Sequence, residues 1–527
     1  MEEKEDLPSK TTEVTKEVVT DVKAETKTQT TTQVKTEVKQ LSENELKEIT
    51  KKISIKEGIV ANFMDGAGSR YITPYALAIG ANNTQIGLLT SIPSLLGNLS
   101  QLFTSKIIEK TSRKKIIVTG VLLQALMWIP MLVAGYLFFY KGLNEGASAN
   151  FLILFYTLFI IFGAFLSPAW NSLMKDIVTK DKGDYFGKRN KIFGAVSLLV
   201  FLVAGIVLSY FEGANLVFIG FSILFGIAFF ARLISCKMLT KYYEPKLKLE
   251  KGYYFTLWQF VKRIPKSNFG KFSVFVALIS FATAVSSPFF AVYMLKDLKF
   301  NYGTWMFITI SSSLSTFLFI QLWGKFSDKF GNLKVLQLTG IFIPLVPFAW
   351  FFSSAIAGTS FPVLVIYLFL VEFLSGIIWA GFNLSSVNFI YDAVSREKFA
   401  ICIAYYNIFN GVGVFIGATL GGILSSMNTS FFGMSPLLFI FALSGVVRMA
   451  VYFFMAPMIK EVREVEEYKD GTIKKELRKM LTIPVSLPFI RHHTAVSSPD
   501  VNTPMNAPVG TPVAVASSSG TPANTPA

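Results

Sequence analysis

Long apolar runs constrain this chain more than any other feature. We count twelve, each close to the roughly 20 residues that a helix needs to cross a bilayer. They fall near 55–79, 84–107, 116–140, 150–174, 190–210, 214–236, 271–295, 304–324, 335–355, 361–388, 400–425 and 434–458. Only 16% of residues are charged, against about 25% in a typical soluble chain. The sequence therefore predicts an all-α membrane protein with twelve transmembrane helices.

The basic residues predict the orientation of these helices. Loops after the even-numbered runs hold most of the Lys and Arg: Lys110, Arg113, Lys114, Lys115, Lys180, Lys182, Lys188, Arg189, Lys325, Lys329, Lys334, Arg396 and Lys398. The opposite loops hold little beyond Lys141, Lys296 and Lys299. Since positive loops stay inside, we predict that both termini are cytoplasmic. We also expect a multi-pass protein of the plasma membrane. The net charge of +16 is thus explained without a nucleic-acid partner.

Polar stretches divide the chain into five parts. Residues 1–52 are predicted to be cytoplasmic and mostly disordered, because they are polar and low in complexity, with a short helix at "LSENELKEITKK" near their end. The halves span 53–236 and 271–458. Between them, 237–270 contains "YYFTLWQFVKRIPK", a mixture typical of a helix in the cytoplasmic headgroup layer. The tail, 459–527, is predicted to be cytoplasmic and disordered from about 494.

The two halves repeat each other. Matches recur at separations of 216 to 219 residues: Glu109-Lys110 with Asp328-Lys329, Asp176 with Asp392, Ile192-Phe193 with Ile408-Phe409, and Arg232 with Arg448. Each match is weak, but their near-constant spacing indicates duplication. Because six helices per repeat preserve the orientation, the halves are predicted to be parallel repeats.

The motifs in these halves resemble those of the major facilitator superfamily. The stretch "GKFSDKFGNLK" at 324–334 matches its motif after the second helix of a half, and "SKIIEKTSRKK" at 105–115 is a degraded copy, with Ser105 and Ser112 replacing glycines. The stretch "AWNSLMKDIVTKDKGDYFGKRN" resembles the region after the fourth helix. The resemblance covers about 53–458 and implies a secondary transporter that moves a small solute by alternating access.

The resemblance also implies a gate at the cytoplasmic side. The gating residues are Glu109, Lys110, Arg113, Gly324, Asp328, Lys329 and Gly331. Glycines permit close approach and tight turns, while an aspartate can accept charge-assisted hydrogen bonds from the facing half. Such a contact would break when the halves rock apart. The alternative is that the lysines only enforce the topology.

Ionisable residues inside the membrane are costly and point to function. Asp176, Asp392, Arg232 and Arg448 recur in both halves, so we expect an architectural Asp–Arg network within each half. Asp65, Arg70 and Glu372 have no charged counterpart in the other half and are candidates for binding solute or protons.

The alternative for Asp65 and Arg70 is a structural pair. Five residues apart, they would lie about 140° apart on a continuous helix and be poorly placed to pair directly. Glu372 is a lone carboxyl near the middle of its run, where it could bind and release a proton.

Further binding candidates come from the resemblance, which places runs 1, 4, 7 and 10 around a central cavity. These runs supply Trp170, Asn171, Ser286, Ser287, Trp379 and Asn383. In run 11, the small residues of "GVGVFIGATLGG" at 411–422 predict close helix packing.

Other functions lack their motifs. The sequence has no "GxxxxGK[ST]" ATPase loop, and its two histidines and two cysteines give no metal cluster or hydrolytic triad. We expect no enzyme activity, no cofactor and no metal, and a monomer that binds a small solute within the bilayer. Coupling stays open between a proton at Glu372 or Asp65 and simple facilitated diffusion. The alternative function is a non-transporting membrane receptor or assembly protein on the same fold.

Overall fold

We describe the protein from a computed structural model that covers residues 42–108, 110–246, 256–395, 398–463 and 465. The disorder predicted for the N-terminal segment and for the tail beyond about 494 lies outside these residues, and so does the motif residue Glu109. The described chain is helical apart from turns, short loops and one isolated bridge, Phe431 with Met434.

The first half is built from α1 (Glu43–Ala67), α2 (Ile72–Ala78), α3 (Asn83–Ile108), α4 (Arg113–Leu126), α5 (Trp128–Lys141), α6 (Glu145–Ile177), α7 (Lys182–Gly213) and α8 (Val217–Leu239). Helix α1 begins at Glu43, so the short helix predicted before residue 53 is present and is continuous with the first crossing. Its first turns are packed rather than free, because Thr50 is buried and its hydroxyl accepts a hydrogen bond from the N–H of Tyr243 at 3.1 Å.

The short helix α9 (Leu257–Arg263) leads into the second half. That half contains α10 (Asn268–Ala284), α11 (Phe289–Val292), α12 (Tyr302–Phe330), α13 (Asn332–Phe342), α14 (Leu345–Ala357), α15 (Phe361–Ala393), α16 (Phe399–Ser425) and α17 (Pro436–Met455). A π-helical turn, Tyr293–Asp297, continues α11.

Eleven segments of the described chain are long and apolar enough to span a membrane, beginning with Asn83–Thr104 and ending with Pro436–Met458. The segment formed by α1 and α2 precedes them and completes the twelve crossings expected from the sequence. We call the end of the bundle at which α1 begins and α17 ends the termini face, and the opposite end the loop face.

Helix breaks recur at the interval of the sequence repeat. The third crossing of each half is broken, at Met127 between α4 and α5 and at Ile343 between α13 and α14. The first crossing of each half is broken too, after Gly68 and after Ala284. The matches that indicate duplication in the sequence therefore extend to the backbone geometry, which sequence periodicity did not predict.

Contacts between the halves obey the same symmetry. Helix α3 packs on α16, and α7 packs on α12. Because α12 is the counterpart of α3 and α16 that of α7, these are one kind of contact made twice, as expected for parallel repeats related by a pseudo-twofold axis.

Glycines line two sides of α16, which confirms the close packing predicted for it. On one side, a Cβ on Gly417 would meet the carbonyl oxygen of Phe281 in α10, within the second half. On the other side, Gly87 of α3 lies against the carbonyl oxygen of Ala418, across the interface between the halves. The same helix is thus fixed to its own half and closely apposed to the other.

We expect a methyl group to have different effects on the two sides of α16. Gly417→Ala forces α16 away from α10 and should lower the Tm of the purified protein by a few degrees, since overpacking costs about 1–3 kcal/mol. Gly87→Ala strains only the contact with the other half, and rocking of the halves can relieve it. We expect a smaller loss of Tm and a population shift away from closure.

A disulfide reporter measures that closure. Cysteines replacing Thr84 and Ser426, whose hydroxyl oxygens lie 2.8 Å apart across the halves, should cross-link readily once the buried Cys236 and Cys402 are replaced by serine. Gly87→Ala should reduce the cross-linked fraction, and Gly417→Ala should leave it unchanged in folded protein. Equal effects of both substitutions would contradict the separate roles of the two sides.

Candidate functional site

Hydrogen bonds join the two halves at the loop face. The donor–acceptor pairs are Asn83 Nδ2 with Ser425 O at 2.8 Å, Thr84 Oγ1 with Ser426 Oγ at 2.8 Å, Lys296 Nζ with Ala81 O at 2.7 Å, and Tyr302 N with Glu212 Oε2 at 2.8 Å. Two of these contacts lie between α3 and the end of α16, and one lies between α7 and α12. The halves are therefore joined by hydrogen bonds at this end.

Asp65 and Arg70 form an ion pair, contrary to the expectation from helix periodicity. Arg70 Nε lies 3.2 Å from Asp65 Oδ2. The expectation was wrong because α1 ends at Ala67, Gly68 departs from helical geometry with φ −111° and ψ −77°, and a 3-10 turn follows at Ser69–Tyr71. A regular 100° step per residue does not hold across such a break.

The pair also connects the two halves. Arg70 Nη1 donates to Ser313 Oγ of α12 at 2.9 Å, and the guanidinium lies 5.2 Å from the ring centre of Phe201 in α7. Ser197 Oγ donates to Asp65 Oδ2 at 2.7 Å. The Arg70 side chain is 5% exposed and that of Asp65 is 37% exposed, so the carboxylate faces open space while the guanidinium is enclosed.

Sequence reasoning missed both serines of this group. Ser313 belongs to a run of three serines, 311–313, in an apolar crossing, and this polar interruption was a usable signal. Ser197 stands alone among apolar residues and gives no such signal. A charged solute group can compete for either member of the pair, because each charge has a partner that can be exchanged.

Glu372 is buried within the second half and is not part of this group. It is 8% exposed, and its Oε1 accepts a hydrogen bond from Trp350 Nε1 at 3.1 Å. The Trp350 ring stacks on Phe290 with ring centres 4.6 Å apart. None of the ion pairs between described residues includes Glu372. A carboxyl in this setting can carry a proton through the membrane interior.

Asn383 and Trp379 face the interior of the bundle. Leu374, 46% exposed, belongs to the outer apolar stripe of α15, and Asn383 lies nine residues further, about half a helical turn around. Asn383 is nevertheless exposed, so its amide opens onto space inside the bundle. Trp379 is half-buried and packs edge-on against Phe382 at 5.5 Å. These residues offer a solute an amide and an aromatic face.

Trp170 is engaged by a cation of the protein itself. The Arg189 guanidinium lies 4.4 Å from the centre of a Trp170 ring and 4.3 Å from that of Phe193. Trp170 and its neighbour Asn171 are half-buried. In the sequence, Arg189 indicated only the topology. In the structure it lies against two aromatic faces, where cation–π attraction holds it.

Ser286 does not serve the central space in this conformation. It is fully buried, accepts a hydrogen bond from Arg448 Nη2 at 2.9 Å and donates to Ser444 Oγ at 2.9 Å. Ser287 is half-buried, and its N–H donates to Thr283 O at 3.0 Å. In this structure Ser286 therefore links the turn after α10 to α17 through buried hydrogen bonds.

The expected pairing of Asp176 with Arg232 is wrong. Asp176 Oδ2 lies 2.6 Å from Arg113 Nη1, because Arg113 opens α4 at the termini face, where α6 ends. Arg232 Nε instead donates to Gln124 Oε1 at 2.8 Å. Tight burial of Arg113, at 1% exposure, indicates a contact that holds the first half together.

The pairing of Asp392 with Arg448 is wrong as well. Asp392 Oδ2 accepts a hydrogen bond from Asn332 Nδ2 at 2.7 Å. Arg448 donates to Ser444 Oγ at 3.0 Å and to the carbonyl oxygen of Ile343 at 3.3 Å, both within the second half. Asn332 is the counterpart of Arg113 in the repeat, so the halves share the position but not the charge.

A glutamate that follows the last crossing of each half accepts a hydrogen bond at the start of α4 or α13. The N–H of Arg113 donates to Glu244 Oε1 at 2.7 Å, and the N–H of Leu333 donates to Glu461 Oε2 at 2.7 Å. Both glutamates therefore satisfy free N–H groups at the start of a helix, where the dipole favours a negative charge. Neither glutamate was singled out from the sequence.

In this conformation the gating motif contacts the segment that follows α17. Gly331 has φ 87°, and a Cβ there would lie 2.5 Å from Glu461 Oε2, so glycine is required. Gly324 has open space, with Leu384 Cδ2 at 3.9 Å as the nearest atom, so the close approach expected there is not observed. Asp328 Oδ1 lies 3.8 Å from Arg463 Nη1.

The motif lysines lie at the surface. Lys110 is exposed, and the Lys329 ammonium lies 5.3 Å from the centre of the Phe330 ring. The bond from Asp328 to the facing half, which the family resemblance implies for one conformation, is not among the described contacts.

Neutralising the central pair should reveal its coupling. Arg70→Gln leaves Asp65 without its counter-ion, and Asp65→Asn leaves a nearly enclosed guanidinium unpaired, so each change should lower the Tm. The double variant should lose less stability than the two single variants lose together. The difference, the coupling free energy, should be about 0.5–3 kcal/mol. Thermal unfolding of the four proteins in detergent measures it.

Ser313→Ala provides the control for this cycle. It removes the hydrogen bond that Arg70 donates across the halves and leaves both charges in place. The coupling free energy between Ser313→Ala and Asp65→Asn should therefore be smaller than that between Arg70→Gln and Asp65→Asn. Strictly additive losses in the charge cycle would show that Asp65 and Arg70 do not stabilise each other.

Comparisons with known proteins agree with this architecture. The sequence matches the model of the Major Facilitator Superfamily over residues 58–383 and 272–505. No curated protein matches the chain.

Solved structures with the same fold are distant in sequence. The nucleoside transporter NupG is 16% identical, covering 78% of this chain and 98% of its own, with a TM-score of 0.57. A bacterial homologue of the iron transporter ferroportin, in an inward-facing state, is 12% identical, covering 78% and 99%, with a TM-score of 0.60.

A bacterial homologue of the human lysosomal transporter Spinster, inward-facing and unoccupied, is 14% identical, covering 79% of this chain and 98% of its own, with a TM-score of 0.54. At these identities the structures support the fold alone. Together with the family match over most of the helical region, they establish that this chain belongs to the Major Facilitator Superfamily and is a membrane transporter.

Proposed function

We propose that the protein moves a small solute across the plasma membrane by alternating access, with its halves rocking about the central pair of charges. The uneven contact between the halves carries this proposal. Hydrogen bonds between them begin at the loop face, at Asn83 and Ser425. Among the described hydrogen bonds between the halves, the one nearest the termini face joins Asn407 Nδ2 to Gln101 Oε1 at 3.3 Å. A bundle joined mainly at one end is suited to opening at the other.

The termini face is assigned to the cytoplasm in this proposal, because its loops carry most of the basic residues. The described conformation is then open inward. Two observations support this assignment. The described ion pair of the motif residue Asp328 is with Arg463, after α17, and not with the first half. In addition, two of the similar structures are inward-facing.

Solute is proposed to bind between the halves. Asp65 and Arg70 supply opposite charges, and Asn383 and Trp379 supply an amide and an aromatic face from the second half. A mostly apolar cavity with a few convergent polar groups is the usual form of a small-molecule site. Transport in this scheme needs no enzymatic step and no cofactor, and a monomer suffices.

Glu372 is proposed as the proton carrier. It is enclosed among apolar and aromatic groups with Trp350 as its described hydrogen-bond donor, and it lies on the side of α15 that also bears Trp379, two helical turns away. A carboxyl in such a place is much easier to bury neutral than charged. Proton uptake and release can therefore accompany its exposure to one side or the other.

Solute flux driven by a pH gradient tests this assignment. A thermal-shift screen of sugars, amino acids, organic anions and lipophilic cations first identifies a solute, since a ligand of the native state raises the Tm. In proteoliposomes, Glu372→Gln should abolish accumulation driven by the pH gradient while exchange of labelled for unlabelled solute continues, because exchange needs no net proton movement.

Asp184→Asn is the matched control. Asp184 is 62% exposed at the start of α7 and pairs with Lys188, so its neutralisation should leave both activities unchanged. Gradient-driven accumulation that survives Glu372→Gln would remove the proton-carrier assignment. Solute binding without any flux would contradict transport itself and favour a receptor.

A further inference from the structure

The short helix α9 stands directly before a membrane-spanning segment. Its N-terminus carries a capping box, in which Gln259 N donates to Thr256 Oγ1 at 3.2 Å and Thr256 N donates to Gln259 Oε1 at 3.0 Å. A 3-10 turn, Ile264–Lys266, then leads to α10 at Asn268. So short a connection keeps α9 at the level where α10 enters the membrane.

One side of α9 is fixed to the second half. Phe260 is 5% exposed and packs against Phe269 of α10, with ring centres 6.0 Å apart. It also meets Tyr405 and Phe409 of α16 at 5.5 Å and 5.8 Å. This aromatic anchor holds α9 in one orientation, so the residues on its other side form a defined surface.

The outward side of α9 is aromatic and basic. Trp258 is 65% exposed, and the Lys262 ammonium lies 5.4 Å from a Trp258 ring centre. Arg263 and Lys266 are exposed beside them. No Asp or Glu occurs from residue 256 to 268, and no ion pair among the described residues involves these three basic side chains. We call Trp258, Lys262, Arg263 and Lys266 the α9 basic face.

We propose that the α9 basic face is a binding surface for anionic phospholipid headgroups in the leaflet at the termini face. The indole is the side chain best suited to the boundary between headgroups and acyl chains. Three basic groups that form no ion pair within the described part of the chain complement clustered lipid phosphates. The surface lies beside the point where α10 enters the membrane, so it is at the level of the lipid headgroups.

Depth-sensitive quenching tests this surface in the full-length protein. Nanodiscs contain phosphatidylcholine with a minority of phosphatidylglycerol. In each of two preparations the acyl chains of only one of the two lipids are brominated, and both preparations hold the same molar amount of brominated lipid. Emission from Trp258 is obtained as the difference between wild type and Trp258→Phe. We expect brominated phosphatidylglycerol to quench this emission about twofold more than brominated phosphatidylcholine, because the basic side chains enrich anionic lipid nearby.

Charge variants identify the cause of that preference. Replacing Lys262, Arg263 and Lys266 by Gln should remove it, and Lys262→Arg with Lys266→Arg should retain it. Replacing the exposed loop-face lysines Lys141 and Lys299 by Gln leaves it unchanged. Unaltered Tm values confirm that the variants are folded.

Three results would overturn the proposal. Equal quenching by the two lipids would show that α9 contacts the bilayer without selecting charge. Absence of quenching by either lipid would place Trp258 away from the membrane, as when another protein segment covers it. A preference for the anionic lipid that persists without the three basic groups would show that other residues cause it.

Discussion

Helix breaks within the bilayer are the constraint on which the other interactions depend, because the carbonyl groups freed there have no water to satisfy them. In the second half, Arg448 lies where two breaks meet and donates to the carbonyl oxygens of Ile343 at 3.3 Å and Thr283 at 3.4 Å. The ends of α10 and α13 also carry partial negative charge. A fully buried guanidinium is thus stabilised by backbone oxygens and serine hydroxyls.

The corresponding break in the first half creates the candidate site. Gly68 allows the break, and a Cβ there would lie 2.5 Å from the ring of Trp128. The turn that follows brings Arg70 back to Asp65 and directs its second nitrogen to Ser313 in the other half. The same distortion therefore pairs a buried charge and links the two halves, which move relative to each other in the proposed mechanism.

Several parts of this arrangement were predictable and others were not. The repeat identified the positions of Asp176 and Asp392 but not their partners, because a match between halves says nothing about which helices meet at a given depth. Glu244 and Glu461 were missed, since they follow the last crossing of each half and belong to no recognised motif. The Asp65–Arg70 prediction failed because it assumed an unbroken helix.

The sequence by itself determined the number of crossings, their duplication and the family, since bilayer thickness fixes the length of an apolar run and a repeat is a comparison of the chain with itself. Only the tertiary structure decided which charges pair and where hydrogen bonds join the two halves. Those features depend on where helices break and on the register between segments hundreds of residues apart, and neither is encoded in local periodicity.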